Sequence, residues 1–377
     1  MHDELFQSFC KERNLSPGSV KVYHQALKKY TSFNGMTLQQ LLDDAIEDEK
    51  QHVWRERKLL NRLIDFRNYL IEQGYAKEYI QTTVRRVKTF YINYFVEIHS
   101  LPRANIMANT EIKIPTREDL KTAVDMSKPL MKALILFLIS TGLSKIDCLN
   151  LTIKDFITAT KEYHTSNDIY EVLKILQDRE DVVPTFSLTR QKTGKFHYTF
   201  CSPEAVIAIV NYLQSRSDKL TNDSSLFKIS YHWLTVKFQE LNDSLNLGVT
   251  QGNEFRVLRC HTLRKYHATT LRNDGLDKDI VNSFQGKAKN RVDAAYFVDT
   301  PEALRKRYIE HVDCLTVHMD IRSIDLKSPE YIELETENNR LKEVVGNIDE
   351  RIEARIADAL SKVGGPMSNE EFDDLFS

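Results

Sequence analysis

The run "LMKALILFLISTGL", from Leu130 to Leu143, constrains this fold more than any other stretch. It is apolar on nearly every side, so it lacks the one-sided stripe of a surface helix and must sit inside a core. It is also shorter than the roughly 18–20 apolar residues that a membrane-spanning helix needs, and no other run comes nearer. Burying such a helix takes a shell of partner elements. A chain of 377 residues can supply that shell, with room for two or three units of about 100–200 residues. With 41% hydrophobic and 28% charged residues, the chain reads as globular rather than disordered.

Helical patterning begins well before that run. In "LSPGSVKVYHQALKKY", Ser16 is a candidate N-cap and Pro17 suits the first helical position, with Val20, Tyr23, Leu27 and Tyr30 following at three- and four-residue spacing. "WRERKLLNRLIDFRNYLIEQG" repeats the period and stops at Gly74, while "YIQTTVRRVKTFYINYF" sets Arg85, Arg86 and Lys88 among aromatic residues. These segments predict a compact bundle of about four helices with basic faces over residues 1–100. "LPRANIMANTEIKIPT" is low in periodicity, contains two prolines, and reads as a linker over 101–115. The capping-box pattern Thr116–Asp119 then opens a second domain, expected over 116–320. Inside it, "FSLTRQKTGKFHYTF" predicts two strands around Gly194, and Ser202 with Pro203 caps a return to helix.

The final segment has a different character. Tyr331, Asn338, Val345 and Ile352 at heptad position a, with Leu334, Leu341 and Ile348 at d, predict a coiled-coil-like helix within 328–363, followed by a flexible acidic end over 364–377. An amphipathic helix lying on its own domain is the alternative. From Pro329 onward there are 13 acidic and 5 basic residues, so this tail carries −8 of the chain's net −2 and leaves the body at +6. A mildly basic body suits an anionic partner. The five cysteines are scattered with no CxxC pair, which excludes a disulfide framework or a structural zinc site and fits a reducing compartment. "MHDELFQSFCKERN" is too charged for a signal peptide, so the expected location is the cytoplasm, with no membrane partner.

The stretch "RCHTLRKYHATTL", Arg259 to Leu271, places His261, Arg264 and His267 on one short segment. Desolvating an unpaired guanidinium costs several kcal/mol, so either the fold or an anionic substrate must satisfy it. A phosphodiester is a natural match, because arginine offers fork-shaped donors and histidine transfers protons near neutral pH. A lone HxxR also arises by chance in packed cores.

The neighbouring motifs decide between these readings. His261-Thr-Leu-Arg264-Lys-Tyr-His267-Ala-Thr resembles the HxxR box of tyrosine recombinases, the phage-type and archaeal integrases, in which "HxLRHxxAT" recurs. "FQGKAKNRVDAAYFVDTPEALRKRY" is similar to the family's closing "LGH…Y" motif, with Tyr296 ten residues past Gly286 at the nucleophile's spacing. "LTRQKTGK" resembles the β-hairpin that delivers the family's lysine, here Lys192, and "LFLISTGLSKIDCLNLTIKDF" resembles the helix pair carrying its first arginine. The resemblance implies a fold that is mainly α with a small β-sheet. It comprises an N-terminal helical core-binding bundle, a mixed α/β tyrosine-recombinase catalytic domain and the coiled-coil-like C-terminal helix.

The resemblance also implies a function and a set of roles. The chain would be a site-specific DNA recombinase or integrase that clamps double-stranded DNA and works as a homo-oligomer, dimer to tetramer, through residues 331–352. Tyr296 would attack the scissile phosphate, Lys192 would protonate the leaving 5′-oxygen, and Arg264 and His261 would hold or serve the phosphate. No cofactor and no metal are expected. Two positions depart from the pattern: Ser144 stands where the family has arginine, with Lys145 next to it, and Lys287 stands where "LGH" has histidine. Lys145 and Lys287 are the expected replacements. His267 is expected to pack, and Tyr308 is a weaker rival to Tyr296. Two other readings follow from the same residues: a type IB topoisomerase-like nicking and religating enzyme, and a DNA-binding relative with weakened catalysis.

Overall fold

The computed structural model describes residues 4–50, 57–105, 113–250, 255–287 and 300–319, together with Glu337, Arg340, Leu341, Lys342, Val345 and Ile348. They fall into two compact units, one within Met1–Ile112 with Val249–Phe255, the other within Lys113–Gly248 and Arg256–Ser377.

Among the described residues the first unit holds five helices rather than about four: α1 (Glu4–Glu12), α2 (Pro17–Asn34), α3 (Leu38–Asp48), α4 (Lys58–Glu72) and α5 (Lys77–Asn93). The additional helix is α1, whose Phe6 and Phe9 are its buried residues, too short a signal for periodicity to register. Ser16 caps α2 by accepting from the Ser19 N–H, with Pro17 at the first turn as expected. The start of α4 is capped from a distance. Buried Asp48 accepts the Lys58 and Leu59 amides at 2.9 Å each, satisfying two of the four orphan donors that any helix start carries. Tyr30, Phe66, Phe90 and Tyr91 form an aromatic centre that fixes the bundle.

The second unit contains α6 (Arg117–Asp125), α7 (Pro129–Thr141), α8 (Lys145–Leu149), α9 (Ile153–Ala159) and α10 (Ile169–Leu176). After these come β1 (Thr185–Thr189), β2 (Phe196–Phe200), α11 (Pro203–Gln214), α12 (Tyr231–Ser244), α13 (Cys260–Asn273), α14 (Lys278–Phe284) and α15 (Pro301–His311). The Thr116–Asp119 capping box is present in both directions. Every residue of α7 from Ala133 to Thr141 is buried, and the helix packs between α11 and α13. The two strands pair antiparallel, Thr185 opposite Phe200 and Thr189 opposite Phe196. Phe200 turns inward onto Phe284 of α14 and Tyr308 of α15, tying the hairpin to both helices.

All five cysteines are free thiols. Among the described residues no helix is long and apolar enough to cross a membrane. Of the zipper positions, Leu341, Val345 and Ile348 are described; they are helical and exposed at 54%, 55% and 47%. Tyr331, Leu334, Asn338 and Ile352 lie outside the described residues.

Candidate active site

Packing of α13 against α7 decides where Arg264 goes. Its side chain is only 8% exposed and reaches across two elements: Nη1 donates to the Gly142 carbonyl at the end of α7 (2.6 Å) and Nη2 to the Gln285 carbonyl just past α14 (2.7 Å). The Gln285 amide returns a bond to the Arg264 carbonyl at 2.9 Å. Burial, reinforced by the nearby Arg190, pushes the guanidinium down to about 10, with Asp147 pulling the other way. It therefore stays charged at neutral pH. Among the described residues no carboxylate comes within ion-pair distance of it, so carbonyl dipoles, helped at longer range by Asp147, compensate a charge that is costly to bury.

Other cations gather round that guanidinium. His261, one turn earlier on α13, is exposed; partial desolvation and the charges of Lys265, Arg259, Arg264 and Lys287 hold its pKa below the usual 6.5. A neutral imidazole that can accept a proton results. Lys287 is half-buried, and its ammonium is likewise lowered by burial and then by Arg264, Arg190, Arg272 and Lys278.

The β-hairpin joins the same place. Its turn closes with the Arg190 N–H on the Lys195 carbonyl (2.9 Å) and the Gly194 N–H on the Arg190 carbonyl (2.8 Å). Three bonds anchor it: Gln191 N–H to Asp147 Oδ1 (2.9 Å), Arg190 Nη1 to the Gly286 carbonyl (3.2 Å) and Lys195 Nζ to the Lys287 carbonyl (2.7 Å). Lys192 stands exposed on this turn. Structure thus brings His261, Arg264, Lys287 and the hairpin that carries Lys192 to one site, although Lys192 and Lys287 stand 95 positions apart in the chain.

Ser144 and Lys145 behave differently. Ser144 caps α8, and its hydroxyl donates to Asp147 Oδ2 at 2.6 Å. The Lys145 ammonium bonds Thr235 Oγ1 and lies 3.6 Å from the centre of the Tyr231 ring, both on α12, while burial lowers its pKa. Tyr296 falls within 288–299, outside the described residues.

His267 packs, as the sequence suggested. It is fully buried, shares a hydrogen bond of 3.0 Å with the Ile139 carbonyl, and burial drives its pKa to about 3. Gly142 makes room for it: at φ +60, a Cβ there would stand 2.4 Å from His267 Cδ2. Tyr308 is structural too. It is fully buried, with its hydroxyl 2.7 Å from Ser140 Oγ and 3.2 Å from the Ser140 carbonyl, and burial raises its pKa far beyond phenolate reach. In the first unit, Arg85 and Lys88 line one groove on α5 with Arg67, whereas Arg86 is half-buried and does not line it.

Sequence reasoning passed over Arg190, Asp147, Gln285 and His197. Buried His197 on β2 presses on Gly286, where an added Cβ would meet its Nδ1 at 2.8 Å. The one available signal was position: Arg190 sits two residues before Lys192 in the hairpin sequence.

The phage integrase family model matches residues 115–300, the stretch containing every element of this site. The chain belongs to the phage integrase family, the tyrosine recombinases. It is 28% identical over 166 residues to the tyrosine recombinase XerC of Listeria welshimeri, an alignment covering 43% of this chain and about half, 55%, of that protein. To XerC of Listeria monocytogenes it is 23% identical over 316 residues, covering 82% and 97% of the two chains. Among solved structures, the Tn1549 transposon integrase in complex with a circular intermediate DNA superposes with a TM-score of 0.49 at 15% identity, covering 79% of this chain and 95% of that one. The XerH recombinase bound to palindromic difH substrate gives 0.48 at 16% identity, covering 80% and 82%.

Proposed function

We propose that this integrase-family chain is a site-specific DNA recombinase that cuts and rejoins duplex DNA through a covalent 3′-phosphotyrosine on Tyr296, with neither metal nor ATP. One observation carries the reading: a buried, carboxylate-free guanidinium, Arg264, gathers His261, Lys287 and the Lys192 hairpin into a single anion-seeking site. In the reaction the Tyr296 phenol gives its proton to neutral His261, and its oxygen attacks the scissile phosphorus. The Tyr296 O–P bond forms as the P–O5′ bond breaks, and Lys192 passes a proton to the departing 5′-oxygen. Arg264 and Lys287 hold the nonbridging oxygens while charge grows on them; removing one such preorganised donor typically costs about 10²–10³ in rate. The reverse attack by a 5′-hydroxyl of a second strand restores the phosphodiester and returns both protons. Bond energy is conserved throughout. Lys145 joins the phosphate contacts in this proposal only by leaving Thr235 and Tyr231.

The helical bundle serves as the core-binding domain, with Arg85, Arg86 and Lys88 contacting phosphates, a sequence-independent part of affinity. Leu341, Val345 and Ile348, spaced four and three residues apart, would join protomers through residues 331–352 into dimers to tetramers, which a topoisomerase-like single protomer would not need. The reaction would take place on cytoplasmic DNA.

A nicked suicide duplex tests the proposal, bearing a site recovered from a randomised library by covalent-adduct selection with the wild-type chain. Wild type should trap a detergent-resistant adduct and Tyr296→Phe none; an adduct that survives Tyr296→Phe overturns the assignment. A second reading, a DNA-binding relative with weakened catalysis, draws on Ser144 in the arginine's place. It predicts tight DNA binding with no adduct from the wild type.

A further inference from the structure

We infer that Arg190 is the second guanidinium of the phosphate site, supplying from the β-hairpin the fork that the family pattern places at Ser144. The inference rests on the recombinase reading above.

Four observations lead to it. First, Arg190 and Arg264 grip consecutive carbonyls of one turn, Gly286 at 3.2 Å and Gln285 at 2.7 Å, so the two guanidiniums stand side by side. Their proximity is felt electrostatically, because Arg190 depresses the pKa of Arg264, of Lys287 and of His197. Second, among the described residues Arg190 has no carboxylate within ion-pair distance, and its Nε is buried without a hydrogen-bond partner. Buried N–H groups are almost always satisfied, so an orphan beside a second uncompensated arginine marks a place where an anion belongs. Third, the residues in the expected place are spent elsewhere: the Ser144 hydroxyl on Asp147, and the Lys145 ammonium on Thr235 and the Tyr231 ring. Fourth, the same Asp147 that holds Ser144 accepts the Gln191 N–H, which fixes the hairpin at the residue next to Arg190. The serine and its aspartate thereby position the substitute.

A guanidinium at Arg190 can do what Lys145 cannot, namely offer two parallel donors to the nonbridging oxygens of a phosphodiester. It moves no proton. Its work is to bind charge that appears as the Tyr296 O–P bond forms.

The experiment uses the full chain and the selected suicide duplex in two versions, one with an ordinary scissile phosphodiester and one with a neutral methylphosphonate. Arg190→Ala should form adduct about 10²–10³-fold more slowly on the phosphodiester with DNA binding retained, and should recover to within about tenfold of wild type on the methylphosphonate, which lacks the charge the arginine binds. Arg190→Lys keeps a cation and guards against misfolding of the alanine variant; it should give an intermediate rate on the phosphodiester and near-wild-type cleavage on the methylphosphonate. Equal deficits on both duplexes would make Arg190 a mere prop for Gly286 and overturn the inference. So would cleavage by Arg190→Ala within about threefold of wild type while Arg264→Ala is inactive. Adduct formation undiminished in both Tyr296→Phe and Arg264→Ala would instead sink the recombinase reading itself.

Discussion

Gly142→Ala is expected to damage stability and the site together. Gly142 ends α7 at φ +60, where an L-residue costs roughly 1–2 kcal/mol because its Cβ crowds the following carbonyl. The new methyl group would also sit 2.4 Å from His267 Cδ2 and 2.8 Å from Cγ and Nε2, well inside contact distance, against a fully buried ring. Overpacking of this kind costs typically about 1–3 kcal/mol, so the combined loss is about 2–5 kcal/mol out of a usual domain stability of roughly 5–15. Because the Gly142 carbonyl takes the Arg264 Nη1, any shift that relieves the clash drags the guanidinium with it. Native-state hydrogen exchange of the α7 amides against urea reads the loss for this unit alone, and adduct formation at permissive temperature reads the site. In the double variant with His267→Ala the steric share should vanish while the backbone share remains, a coupling of about 1–3 kcal/mol. A Gly142→Ala chain within about 0.5 kcal/mol of wild type, or strictly additive losses in the double variant, would refute the argument.

Three further outcomes are expected. Burial sets the His267 pKa near 3 in the fold against 6.5 unfolded, so its neutral form stabilises fully above about pH 6.5; that contribution drains as pH falls toward 3, at up to about 1.4 kcal/mol per unit. His267→Leu should therefore flatten the fall of the urea midpoint between about pH 6.5 and 4, and an unchanged slope would contradict this. Arg85→Ala and Lys88→Ala should each lower the salt dependence of DNA binding by about one unit of log–log slope, with a smaller effect at Arg86, which does not line that groove; equal slopes in filter binding across roughly 50–200 mM salt would count against the groove. Deleting residues from 328 onward should reduce oligomer mass in sedimentation while sparing single-strand cleavage, and an unchanged oligomer would exclude the tail as the joint.

Local chemistry made much of this fold legible. α7 announced itself by being apolar all round, the Ser16, Thr116 and Ser202 caps sat where their hydrogen bonds require them, and the hairpin followed from alternation about a glycine turn. What escaped was set by distance along the chain. Lys145 was the expected stand-in for the missing arginine because it is the next residue, yet whether an ammonium is free depends on α12, which occupies it with Thr235 and Tyr231. Arg190 came into view only when the hairpin met Gly286, 96 residues later. His267 shows the converse: its packing role was legible, but the reason, a glycine at the end of α7, belongs to the three-dimensional contact.

The aromatic plug of Phe200, Phe284 and Tyr308 fastens α14 and α15 to the same strand. Thr300, the cap of α15, comes only four positions after Tyr296 in the sequence. A chain advances at most about 3.6 Å per residue, so the sequence alone limits the proposed nucleophile's Cα to roughly 14 Å from that cap. On the proposed assignment, the phosphate under attack must come within this radius extended by one tyrosine side chain, whether it belongs to the protomer's own DNA site or a neighbour's. The grip of Ser140 on the Tyr308 hydroxyl thus sets the origin from which the proposed nucleophile's reach is measured.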